Sequence, residues 1–123
     1  MKWAYLISGG VLGTLGRYVL VDAVHRWFGH RFPYGTLAVN VLGCLCIGFL
    51  ASLAEWKTLL TPEFRLFWMV GLLGAFTTFS SLIYESGQLF HSGQANLVAL
   101  NLFGSLALGL AAWWVGARLA GLL

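Results

Sequence analysis

The side chains able to do chemistry are few, and they gather in an otherwise apolar chain. The densest group is Gly74-Ala75-Phe76-Thr77-Thr78-Phe79-Ser80, with Gly71 before it and Ser81 after it. Hydroxyl side chains compete for backbone hydrogen bonds and glycine loosens the chain, so this stretch is poor material for an uninterrupted helix. Two conformations remain open: a continuous helix whose threonines bond back onto their own turn, or a break that frees carbonyl and amide groups. At membrane depth a break is tolerated only where protein or a water-filled cavity satisfies those groups, and freed carbonyls are good ligands for a hard cation. A break here is therefore a candidate ion site.

Two lone amides, Asn40 and Asn101, and the hydroxyl of Ser105 extend the inventory. Asn40 shares a helix face with Thr36, Gly43 and Cys44. It either makes an interhelical hydrogen bond, worth about 1 kcal/mol or less in membranes, or turns its amide hydrogens toward a pore or ligand. With Thr77, Thr78, Ser80, Ser81 and Ser105, these residues form a set of neutral donors without an embedded carboxylate or histidine. Hydroxyl and amide hydrogens, with the positive edges of aromatic rings, suit an anion better than a cation. A proton-coupled pump would need a titratable group at mid-membrane.

The remaining polar residues are expected at the margins. Glu85 falls near the end of its apolar segment and reads as a solvated carboxylate. His25, His30 and His91 have no metal-ligand spacing on one helix and read as interfacial. Arg17 either snorkels to the interface or anchors an aqueous entrance. Cys44 and Cys46 point in different directions from one helix, so they pack as small residues without pairing. The chain is not expected to be an enzyme.

The elements that must position these residues follow from composition. Of 123 residues, 59% are hydrophobic and 9% charged, with a mean hydropathy of +0.83, against roughly 25% charged in a soluble domain. A helical span needs about 20 apolar residues, and the sequence predicts four spans in one transmembrane domain over 1–123, with helices near 3–25, 34–55, 66–90 and 95–119. The small-residue series Gly9-x-x-x-Gly13 and Ala112-x-x-x-Gly116-x-x-x-Ala120 mark close helix contacts. Pro33 and Pro62 stand at helix starts. No soluble domain is expected, and the first span does not read as a cleavable signal.

Both termini then share one side. Lys2, Lys57, Arg65 and Arg118 fall on that side, Arg26 and Arg31 on the other, with Arg17 toward the same end. This bias is weak for the rule that sets orientation: it permits insertion both ways, and hence an antiparallel homodimer, or is merely a noisy signal. The basic residues form no run, so a nucleic-acid partner has no support.

Three blocks carry a resemblance. Gly9-Gly10-Val11-Leu12-Gly13-Thr14-Leu15-Gly16-Arg17-Tyr18, Pro33-Tyr34-Gly35-Thr36-Leu37-Ala38-Val39-Asn40-Val41-Leu42-Gly43 and Gly71-Leu72-Leu73-Gly74-Ala75-Phe76-Thr77-Thr78-Phe79-Ser80 resemble, in order and spacing, the signature blocks of the Fluc (CrcB-like) fluoride channels. The resemblance implies an all-α integral membrane protein: four transmembrane helices with a break in the third, assembled as a dual-topology antiparallel homodimer in the bacterial inner (plasma) membrane. It implies passive, selective fluoride export that lowers toxicity, with a structural, non-transported sodium ion at the dimer centre. Carried onto this chain, the sodium ligands would be the backbone carbonyls of Gly74 and Thr77. The fluoride pore would include Asn40, Phe79, Ser80 and Ser81, with Arg17 at the vestibule and looser matches at Leu82 and Ser105. Leu82 stands where the family usually has a second phenylalanine and offers no ring edge; permeation is expected to survive with altered affinity or rate.

Two other classes remain to be weighed. A small multidrug-exporter-like proton antiporter is also four-helical, but would need an embedded carboxylate in the first span, where only Asp22, at its end, is near. A structural or chaperone-like membrane subunit would leave the polar face unexplained.

Overall fold

The computed structural model describes residues 1–56 and 60–123; Lys57, counted above toward charge bias, lies outside them. The described residues form α1 (Lys2–Phe28), α2 (Tyr34–Trp56), α3 (62–76), α4 (Phe79–His91) and α5 (Ala95–Gly121). Residues Pro62–His91 together make the third of four helices long and apolar enough to cross a membrane. The helices run longer than the expected bounds, most clearly at the third, which starts at Pro62 and not near 66. Thr61 caps that start by accepting the Phe64 N–H at 3.2 Å, so the proline signal marks the first helical residue.

Glycines decide which helices touch. α1 packs chiefly on α3, and α2 on α5. A Cβ on Gly9 would lie 2.4 Å from the Phe67 carbonyl oxygen, and one on Gly13 would lie 2.2 Å from that of Leu72. On the other pair, a Cβ at Gly48 would meet the Trp113 carbonyl oxygen at 2.2 Å and one at Gly116 that of Leu45 at 2.1 Å. Both backbones therefore approach as only glycine allows. Gly29 ends α1 with φ +82° and gives its N–H to the His25 carbonyl at 2.8 Å, a left-handed closure that suits glycine.

The third span is irregular twice. Over Arg65–Leu73 it winds as a π-helix, between short α-helical turns at Pro62–Phe64 and Gly74–Phe76. It then stops. Thr77 (φ −86°, ψ 155°) and Thr78 (φ −151°, ψ 116°) are extended, and α4 begins at Phe79. Of the two conformations the sequence leaves open, the chain adopts the break, because the local groups find other partners. The Leu73 carbonyl accepts both the Thr77 N–H at 3.1 Å and the Thr77 hydroxyl at 3.0 Å. The Thr78 hydroxyl caps α4 by accepting the Ser81 N–H at 3.2 Å.

Candidate functional site

Asn40, on the second turn of α2, faces the break. The Thr78 N–H donates to Asn40 Oδ1 at 2.7 Å, and Asn40 Nδ2 donates to the Thr78 carbonyl at 3.0 Å. One amide thus satisfies both backbone groups of an extended residue, which is what a break at membrane depth requires. An amide nitrogen carries two hydrogens, so one remains beyond the bond to Thr78. Gly43 brings α2 this close: a Cβ there would sit 2.1 Å from Thr77 Cγ2.

The hydroxyls form a short chain around Thr78. Thr78 Oγ1 donates to Ser81 Oγ at 3.1 Å and lies 3.3 Å from Ser80 Oγ. A hydroxyl has one hydrogen; with that of Thr78 given to Ser81, Ser80 is the donor in the second contact. The Ser81 hydrogen is then available to an outside acceptor.

Two cavities meet at Thr78. One, about 350 Å³, is walled by Asn40, Cys44, Gly74, Thr77, Phe79 and Leu82 among others. The second, about 420 Å³, is walled by Arg17, Asp22, His25, Thr36, Ser81 and Glu85 among others. Thr78 lines both. The structure therefore places Asn40, Gly74, Thr77, Phe79 and Leu82 around the first cavity and Arg17 and Ser81 around the second, with Thr78 between them. Ser80 is exposed at the start of α4 and joins through its contact with Thr78. Ser105 is not in the wall of either cavity; it lies on α5, where its Oγ is buried without a hydrogen-bond partner.

One expectation needs correction. Glu85 is half-buried, not freely solvated: its Oε1 accepts the Thr36 hydroxyl at 2.7 Å, and its Oε2 is buried without a partner. His25, in the last turn of α1, is half-buried, with Nε2 also buried and unpartnered. Asn101 is 1% exposed and donates to Ser86 Oγ at 2.9 Å, an interhelical bond between α5 and α4. Thr36 shares the face of Asn40 one turn earlier, and that spacing is the one sequence signal that could have put it, and through it Glu85, near the site. Cys44 and Cys46 are free, with Cys44 in the wall of the cavity at the break.

Asp22 is paired with Arg26 at 2.7 Å at the exposed end of α1, so the first span holds no embedded carboxylate for proton antiport. The two cavities offer neutral hydrogen donors around the break, with the Arg17 guanidinium and the Asp22 and Glu85 carboxylates in the wall of the second.

Residues 4–117 match the family described as CrcB-like protein, Camphor Resistance (CrcB). The fluoride-specific ion channel FluC of Chlorobaculum tepidum is 46% identical over 98% of this chain and 95% of its own. That of Maridesulfovibrio salexigens is 44% identical over 89% of this chain and 87% of its own. That of Acidobacterium capsulatum is 40% identical over 94% of this chain and 93% of its own.

Proposed function

The chain belongs to the CrcB-like family, and from that membership we propose that it is a fluoride-specific ion channel of the cell membrane, carrying the ion passively outward. The observation that carries the reading at residue level is the double hydrogen bond between Asn40 and Thr78. It locks the amide in one orientation and leaves its second N–H free, in the wall of the cavity that the 74% exposed Phe79 also lines, with the free hydrogen of Ser81 on the other side of Thr78. Fluoride is small and strongly hydrated, so it crosses only where fixed donors replace its water. A locked amide, a hydroxyl and a ring edge supply such donors, and none of the three carries a negative charge. Arg17 in the adjoining chamber attracts the anion toward them. Chloride, larger and a weaker acceptor, recovers less of its hydration energy on the same donors.

The working unit we propose is an antiparallel pair of identical chains. Phe79 and the open cavity beside it leave an unfinished wall on α4, and a two-fold axis at the break would place the same residues from a second copy opposite it. The weak charge bias across the spans is compatible with insertion in both orientations.

The break also fits a small hard cation. In a continuous helix the Thr78 N–H would bond to the Gly74 carbonyl, but here it goes to Asn40, and Thr77 is extended beyond the end of α3. The carbonyls of Gly74 and Thr77 are the hard oxygen ligands that suit sodium. Bound there, the ion would supply a fixed central charge joining two copies, and it would not be transported.

A fluoride electrode reading efflux from proteoliposomes tests the proposal: protein-dependent release of fluoride well above chloride is expected. Equal chloride and fluoride currents, or none, would refute it.

A further inference from the structure

The end of the molecule away from the termini holds two polar chambers that share a wall. The outer, about 650 Å³, is lined by His25, His30, Arg31, Tyr84, Glu85 and Gln88 among others. The inner, about 420 Å³, holds Arg17, Thr36 and Ser81 and reaches Thr78 at the break. Among the described residues, only His25 and Glu85 line both. These two side chains stand in the common wall of the chambers, the throat of any passage between them.

Each brings a buried polar atom without a partner: Nε2 of His25 and Oε2 of Glu85. They are chemically complementary, since an imidazolium nitrogen donates and a carboxylate oxygen accepts. The other Glu85 oxygen is already held by Thr36 from α2, at 2.7 Å. The imidazole is itself held edge-on against His30, with ring centroids 4.7 Å apart. Room for it is made by Gly35, where a Cβ would come within 3.0 Å of Nε2.

A carboxylate in this throat opposes the passage of any anion, and something must offset it. Among the described residues, the charged and titratable groups around His25 are Arg17, Tyr18 and Asp22 from α1, the last paired to Arg26; His30 and Arg31 from the following turn; and Tyr84 and Glu85 from α4. The facing residues of α2, Gly35 and Thr36, are uncharged. Of the cationic groups, His25 alone lines both chambers beside Glu85, and imidazoles exchange their proton between about pH 5 and 8.

Resting on the channel reading above, we propose that His25 is a positioning residue for anion entry: protonated, it engages Glu85 and opens the throat to the anion, and neutral, it leaves the carboxylate to repel it. Conduction therefore rises as pH falls through the imidazole range. The residue acts on the ion through Glu85, and its signature is a pH profile.

The test is fluoride efflux from proteoliposomes at pH 7.5 and 5.5, with the leak of protein-free vesicles subtracted at each pH. Wild-type flux should be severalfold greater at the lower pH. His25→Gln should remain at the slow rate at both, Glu85→Gln should be fast at both, and His30→Gln should keep the wild-type profile. A flat wild-type profile, or a His25→Gln variant that retains the pH response, overturns the proposal. A second readout does not need flux or refolding of a His25 variant: the titration of the His25 ring followed by NMR, whose midpoint Glu85→Gln should displace. An unmoved midpoint overturns the throat pairing, whereas absence of fluoride flux at every pH with the midpoint displaced overturns the channel reading alone.

Discussion

Asn40 holds Thr78 from both sides, accepting its N–H at 2.7 Å and donating to its carbonyl at 3.0 Å. The same amide that would greet a permeating anion is thus the brace of the broken helix. Its two duties separate under substitution.

Asn40→Asp keeps an acceptor for the Thr78 N–H but removes the donor to the Thr78 carbonyl and places negative charge on the route. Fluoride efflux should fall at least about tenfold, the equivalent of 1.4 kcal/mol, as read with a fluoride electrode. Asn40→Leu leaves both backbone groups unpaired, and each costs about 1–3 kcal/mol; thermal unfolding in detergent should show it less stable than Asn40→Asp.

Gly10 and Gly13 lie one turn apart on α1, yet a Cβ at Gly10 meets nothing within 4 Å and one at Gly13 comes within 2.2 Å of the Leu72 carbonyl oxygen. Gly10→Ala should be neutral or gain up to about 1 kcal/mol from helix propensity. Gly13→Ala should lose about 1–3 kcal/mol by forcing α1 and α3 apart. Unfolding temperatures of the two variants check the contrast.

Leu82 is 8% exposed and lines the cavity at the break with Asn40 and Phe79. Leu82→Phe puts a second ring edge beside that of Phe79, and the cavity has room for it. Efflux should persist and change in rate, with chloride still excluded; loss of fluoride flux would mean that the added ring blocks the route.

Replacing sodium with a bulky organic cation should lower the unfolding temperature and weaken pairing of two copies if the Gly74 and Thr77 carbonyls hold the ion. At a concentration of 100 times the dissociation constant, such binding stabilises by about 2.7 kcal/mol. An identical melting curve in both salts would remove sodium from the break.

The four spans were legible because uninterrupted apolar runs have few alternatives, and only the ends moved. The third helix starts at Pro62, where the Thr61 cap is visible in sequence, and not near 66. The Gly74–Ser80 stretch announced a weak helix but left its conformation open; the outcome depended on Asn40, distant in sequence, reaching Thr78. The π-helical winding of Arg65–Leu73 had no signal in residue type. The cover over Glu85 and over His25 Nε2 has no signal in the sequence for a related reason: distance along a span does not reveal whether a neighbouring helix covers a side chain.

Residue order alone was enough for the class of molecule, its spans, its small-residue contact faces and its stock of neutral donors, since these follow from local hydropathy and from what each side chain carries. Which donors the fold itself uses, and which remain for an ion, was settled by helix approach. Hydrogen-bonding capacity is finite, and its division turns on ångström distances set where Gly9 and Gly13 meet α3, Gly43 meets Thr77, and Gly48 and Gly116 bring α2 and α5 together.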